Sequence, residues 1–344
     1  MYFVLYDRNL KSIGETYILE SWSRIQRAVD FDDLRIVGEQ IPFSANPFLV
    51  VVNDRQGRMM FSGLASVPDT DEKTKKTNIS LKDYATLFNT DILIDWSKFS
   101  GSTVGSFLSF VLGKWLSQTD VGLSGISWDV SALGSLPLDT SIQLGSSLES
   151  TDLHSLVFDA IKYYDLYYTT NLNLKNRTLT FSFFPAFTRS VSVRLRDFDV
   201  NVIEKSFGEY NRASVYSSAK ALYQQWALAE DNSVVKLPST KSLVYPAKNR
   251  NFVAKGSTTN DLYDAVYEAV SGLAGNRYQE NIDLNAQKYR SILDLTSVDF
   301  SYAMDVYTDE GFYRKLPVGE IETDSSGKHI VRLGHRIQEL TQEI

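Results

Sequence analysis

Cysteine is absent from the 344-residue chain. No disulfide framework, thiolate nucleophile or cysteine-ligated zinc site is open to it, so it folds alike in reducing and oxidising compartments. Histidine is nearly as scarce, with only His154, His329 and His335. No two have the i, i+4 spacing of a zinc-binding helix, and H-E-x-x-H does not occur. G-x-S-x-G, the P-loop and G-x-G-x-x-G are missing too, and with them the nucleophile elbow and the glycine-rich phosphate cradle. There is no D-x-[DN]-x-[DN]-G calcium loop. The segment Met1–Asp7 lacks the basic start of a signal peptide, and no apolar run reaches the roughly 20 residues that cross a bilayer. Blocks of like charge are also missing. The net charge of −7 divides as −3 for 1–95, 0 for 96–198, +2 for 199–250, −1 for 251–291 and −5 for 292–344. No segment is basic enough to hold a nucleic acid by its phosphates. The expectation is a chain with no catalytic residue, no cofactor-binding residue, no metal site and no membrane insertion.

What is present is an ordinary globular balance, 43% hydrophobic and 22% charged, with 19 Tyr and 19 Phe. Aromatic and β-branched side chains suit a pleated, half-buried surface, and the length predicts two to four domains. Residues 1–95 read as strands: Tyr2–Tyr6, Trp22–Val29, Leu34–Ile41, then Phe48–Val52 and Met59–Leu64 around the five-residue loop Asn53–Gly57. Ser80 is expected to cap a helical turn carrying Leu81, Tyr84, Leu87 and Phe88.

In 96–198, apolar residues recur with helical spacing from Val104 to Leu116, predicting a helix buried in a domain or a subunit interface. A long, ordered Gly/Ser-rich loop with short strands is expected over 117–150. Leu153–Tyr164 forms a second helix capped by Thr151 or Ser150, with His154 at its partly solvated edge, and a hairpin follows. From Val191 strands resume. Asn260 is expected to cap a third helix ended by Gly272, and strands and turns alternate from Leu293 onward. The reading is mainly β with α+β elaborations: an antiparallel barrel-like domain over 1–95, an α+β domain over 96–198, a second barrel-like domain from 199–250 with 292–344, and an inserted α+β segment over 251–291.

Acidic residues cluster at Asp30/Asp32/Asp33, Asp69/Asp71/Glu72, Asp197/Asp199 and Asp309/Glu310. A glycosidase needs two carboxyl groups facing each other across a bond, whereas neighbouring acids in turns usually bond their own backbone. The cluster Tyr163-Tyr164-Asp165-Leu166-Tyr167-Tyr168 reads either as a sugar-stacking platform or as a strand with one aromatic face in the core and one at an interface.

Three stretches carry a resemblance. Asn53–Gly63, followed by Ser80–Tyr84, is similar to the first barrel of the baseplate hub, or tail-associated lysin, family of long-tailed bacteriophages, which has the fold of the contractile-phage central hub. Gly208–Tyr216 resembles a strand of the same family. Met304–Tyr313, Val318–Glu322, and Ile330–Gly334 leading into Gln338–Thr341 resemble its closing segment. The resemblance implies a homotrimer whose barrels form a pseudo-sixfold ring. That ring would be a plug and DNA conduit between the tail tube and the host-contacting tip, located in the virion and assembled in the bacterial cytoplasm. Implied partners are the distal tail protein ring, the tape-measure protein and receptor-binding or tip proteins, with roles in host attachment and genome ejection. Many relatives continue into a cell-wall hydrolase or a receptor-binding module. A hydrolase or endopeptidase, or a carbohydrate-recognition module using Tyr163–Tyr168, are the rival readings.

Overall fold

The structure, a computed structural model, describes residues 1–28, 30–42, 47–71, 73–118, 125–138, 148–206, 209–230, 233–256, 258–275, 279–287 and 293–334. The described residues form two compact units, one from 1–201 with 283–333 and the other from 202–282.

The first unit begins with β1 (Tyr2–Tyr6), β2 (Ser12–Arg27), β3 (Asp33–Glu39), β4 (Leu49–Asn53), β5 (Met59–Ala65), β6 (Asp69–Asp71) and β7 (Lys76–Lys82). Strands run in the order β1-β4-β5-β7-β3-β2, and β2 pairs back with β1, closing a six-stranded antiparallel barrel; β6 pairs with β7 only. Alternation along β1 turns Phe3 and Leu5 inward, where they meet Ile36, Val50, Val52 and Ile79. Gly38 lets β3 pass close to β2, since a Cβ there would lie 2.5 Å from both the Ile18 carbonyl and the Phe3 ring. The loop between β4 and β5 is tied by Asp54, whose Oδ1 accepts from the backbone of Gln56 (2.7 Å) and Arg58 (3.0 Å), and Gly57 takes a left-handed φ of +81°. Ser80 does not start a helix. The alternation of Ile79 and Leu81 into the core carries β7 on to Lys82, and Asp83 then caps the 3-10 turn Tyr84–Phe88 by accepting from Ala85 N at 2.7 Å.

Next come β8 (Asp91–Asp95), α1 (Val104–Gln118), β9 (Gly125–Asp129), β10 (Leu148–Asp152), α2 (Leu153–Tyr163), β11 (Leu166–Asn173) and β12 (Thr178–Pro185). β8 and β10 form an antiparallel ribbon, β11 and β12 a hairpin, and β9 lies parallel to β12. Val104, Leu108, Val111, Leu112 and Trp115 of α1 are fully buried among Phe88, Ile161 and Phe181 of the same unit. That apolar face is thus spent inside the chain. At the end of α1, the Gln118 amide accepts from Leu93 N (2.8 Å) and donates to Leu93 O (2.7 Å), occupying the outer edge of β8 as a strand residue would. α2 is capped by Asp152, one residue later than expected, through Ser155 N at 2.8 Å.

The chain continues through β13 (Arg189–Arg194), β14 (Phe198–Ser206), β15 (Arg212–Tyr216), β16 (Leu222–Leu228), β17 (Val234–Lys236), β18 (Asn249–Val253), α3 (Thr259–Gly275), β19 (Gln279–Gln287), β20 (Tyr302–Thr308), β21 (Gly311–Asp324) and β22 (His329–Leu333). Among the described residues one closed barrel stands where two were expected. β21 is long enough to pair with β20 along its first half, and with β2 and β22 along its second; β13 joins β20, and β22 continues to β19 and β14. The strands of 212–253 instead make a sheet of their own, β17-β16-β15-β18. The reason is α3, whose Ala265, Ala269 and Leu273 need a face to cover and find Ala213, Val215, Leu228 and Phe252. Thr258 and Asp261 bond reciprocally at its start as a capping box, in place of Asn260.

Gly272 does not end α3 but lies inside it, where a Cβ would overlap the hydroxyl of buried Tyr210. Gly272→Ala should therefore lower the melting temperature although alanine is the better helix former by roughly 1 kcal/mol. Removing the hydroxyl with Tyr210→Phe should return most of the loss in the double variant. A stabilised Gly272→Ala single variant would contradict this packing.

Candidate functional site

Charged side chains meet at a seam of the first unit where β2 leaves the barrel to pair with β21. Arg27 lies at the end of β2. Its Nη1 donates to Phe31 O (2.8 Å), its Nη2 pairs with Asp33 (2.9 Å) and its Nε with Glu320 (3.3 Å). Glu320 on β21 is only 2% exposed. It also binds Arg332 of β22, whose Nε pairs with Asp283 of β19 (3.2 Å) and whose Nη2 pairs with Glu322 (2.8 Å). Lys328 completes the row on Glu322. Burial works against the charge on Arg27, but Asp33 and Glu320 outweigh it and raise its pKa; Glu320 and Asp283 do the same for Arg332. Burial pushes the Glu322 carboxyl upward, and Lys328 and Arg332 more than reverse it.

Behind Arg27 lies an acid pair. Asp32 accepts from Arg24 Nη2 (2.8 Å) and Arg27 N (3.2 Å). Asp83 accepts from Asp32 N (3.3 Å), from the Tyr168 hydroxyl (3.0 Å) and from Ala85 N. Burial, then the Asp83 charge, drive the Asp32 pKa up to about 6 against the pull of Arg24. Burial likewise raises Asp83, and it pushes Tyr168 well above the usual phenol range. Each carboxylate here is committed to a guanidinium or to backbone donors. What the arrangement does chemically is fix the β2–β3 loop and the return strands to the barrel.

The other residues singled out in the sequence disperse. His154 packs between the rings of Phe31 (4.8 Å) and Phe158 (4.5 Å), where burial lowers its pKa, and its Nε2 has no hydrogen-bond partner among the described residues. His329 Nε2 lies 2.9 Å from Leu295 O; His335, Glu72 and the 338–341 stretch lie outside the described residues. Asp71 accepts from Lys73 N (2.8 Å), and Asp309 pairs with Arg196 (3.6 Å). Tyr167 packs on Phe184 and Phe300, and Tyr168 on Phe158 and Phe183, whereas Tyr163 is half exposed. Among the described residues, no group of three or more His, Asp or Glu could hold a metal ion, and no helix is long and apolar enough to cross a membrane. Sequence reasoning missed Arg24, Arg27, Asp83, Asp283, Glu320 and Arg332. The available signal was opposite charge at alternate positions of two late strands, Glu320/Glu322 and Arg332.

Comparison with protein-family models and with curated proteins gives no match. Solved structures do match. The chain superposes on a tail protein from Neisseria meningitidis MC58 with a TM-score of 0.50 and 11% identity, over 97% of this chain and 96% of that one. The 43 kDa tail protein of prophage MuSo2 from Shewanella oneidensis gives 0.53 and 13%, over 97% and 98%. This is a phage tail-protein fold. Prophage tail protein gp18 from Listeria monocytogenes EGD-e agrees, at 0.50 and 10%, over 98% and 96%. The tail-protein fold thus extends over both units.

Proposed function

We propose that the chain is a structural hub protein of a phage or prophage tail tip. In this reading three copies form a ring that joins the tail tube to the tip and lets DNA pass. The near full-length likeness to three tail proteins, together with the closed barrel, carries the reading. The ion-paired seam supports it: a part that bears load through its neighbours benefits from strands tied side chain to side chain, and Arg27, Glu320 and Arg332 commit their charges to that role instead of to a substrate. The distal tail ring, the tape-measure protein and tip proteins are the partners, and the virion is the location. Light scattering at micromolar concentration should return about three times 38.9 kDa; a 38.9 kDa particle at every concentration contradicts the ring.

A channel that passes DNA must not hold it, because each lysine or arginine on a phosphate strengthens binding by releasing counterions. At −7 per copy, a trimer repels a duplex within the Debye length of about 8 Å. A gel shift with duplex DNA at about 50 mM salt should show no complex. A retarded band that salt abolishes would contradict the conduit.

A further inference from the structure

The outer face of the second unit's sheet carries an apolar row. Tyr216 of β15 stands in register with Leu222 of β16 and with Val253 of β18, so the three share the face away from α3. Leu222 is 51% and Val253 58% exposed, with Tyr223 beside them. Exposed Lys220 and Lys255 flank the row, at the β15–β16 turn and just after β18.

The β8–β10 ribbon of the first unit shows the opposite chemistry. Ile92 and Ile94 point into the core, which turns Asp91, Leu93 and Asp95 outward. Their register partners on β10 are Asp152, Ser150 and Leu148. The outer face of this ribbon is therefore two leucines, 52% and 65% exposed, framed by Asp91, by Asp95, which also accepts from Ser97 N and feels the charges of Lys98 and Lys114, and by Asp152, which caps α2. Gln118 already fills the outer edge of β8 at Leu93, so the ribbon offers its side-chain face and not its backbone.

We propose that these two faces bind each other between copies of this chain: the basic, apolar sheet face of one protomer seats on the acidic, apolar ribbon of the next. The match is in charge sign as well as in apolar character, and adjoining exposed apolar side chains rimmed by polar ones mark interaction surfaces. Two different patches joined head to tail form a heterologous contact, which closes into a ring when the rotation allows. The proposal rests on the ring-forming reading above and names the surface that would build it.

The absence of cysteine supplies a clean test. Leu93→Cys and Val253→Cys are each made in the full chain, mixed, treated with a short bis-maleimide and run on a denaturing gel. The mixture should give a covalent dimer, a chain carrying both cysteines should give a ladder ending at the trimer, and each single variant alone should remain monomeric. Lys220→Glu with Lys255→Glu should reduce the cross-linked fraction several-fold, and adding Asp91→Lys with Asp95→Lys should restore it. A light-scattering trimer whose mixed variants do not cross-link overturns this contact and leaves the ring standing. Cross-linking of Val253→Cys alone overturns it in favour of a symmetric pairing. Monomers throughout, with no cross-link, overturn both.

Discussion

Arg332→Met should destabilise the protein by about 3–5 kcal/mol, the usual cost of removing one partner from a buried charge pair. Arg332 serves three carboxylates at once, Glu320, Asp283 and Glu322. Glu320 is almost wholly buried, and Asp283 is 9% exposed. Without the guanidinium these charges sit together out of water, with Arg27 and Lys328 left to compensate. Methionine keeps much of the aliphatic stem, so the loss reports charge more than packing. Adding Glu320→Gln should recover a large part of it, because one buried charge then disappears. Chemical denaturation of the single and double variants measures both effects. A single variant within 1 kcal/mol of wild type would show that the row is solvated and does not tie the return strands to the barrel.

Asp32→Asn should act in the opposite direction and stabilise the protein at pH 7.5, by at most roughly 2–3 kcal/mol. The folded pKa of Asp32, about 6, lies above the ordinary 3.8. Between those values the folded state holds a proton that the unfolded state has released, so stability falls as pH rises through that window and the full cost is present above pH 6. Asparagine mimics the protonated acid. Its one oxygen can accept from Arg24 or from Arg27 N but not from both, because those donors meet different carboxylate oxygens, Oδ2 and Oδ1, so one of the two bonds is given up. The advantage of the variant should shrink on acidification and vanish near pH 4. His154 titrates with the opposite sign: burial lowers its folded pKa, so it costs stability as pH falls. Wild-type stability alone would mix the two effects, whereas the difference between wild type and Asp32→Asn isolates the acid. A variant less stable than wild type at pH 7.5 would mean that the Arg24 pair outweighs burial at this site.

Local periodicity was the readable part of the sequence. The 3.6-residue spacing from Val104 to Trp115, the alternation of Phe3 and Leu5, and the loop ending on Gly57 each led to the element that forms, because each is decided by neighbours a few residues apart. Boundaries failed where a distant contact decides them. Gly272 stays helical because Tyr210, 62 residues earlier, fills the space above it. Strand 212–216 joins its own sheet because α3 supplies its cover. The seam was the least legible, since Arg27 and Glu320 are 293 positions apart and their pairing depends on β21 reaching back to β2. Of the acid clusters marked in the sequence, only Asp30–Asp33 enters it.

The structural hub reading is tested most directly by a cryo-EM map of the purified full chain. The expected result is a threefold ring in which the closed barrels of the three copies surround an axial opening, with acidic side chains and few Lys or Arg along the axis. A monomeric particle, or a ring whose axis is lined with Lys and Arg, would contradict it.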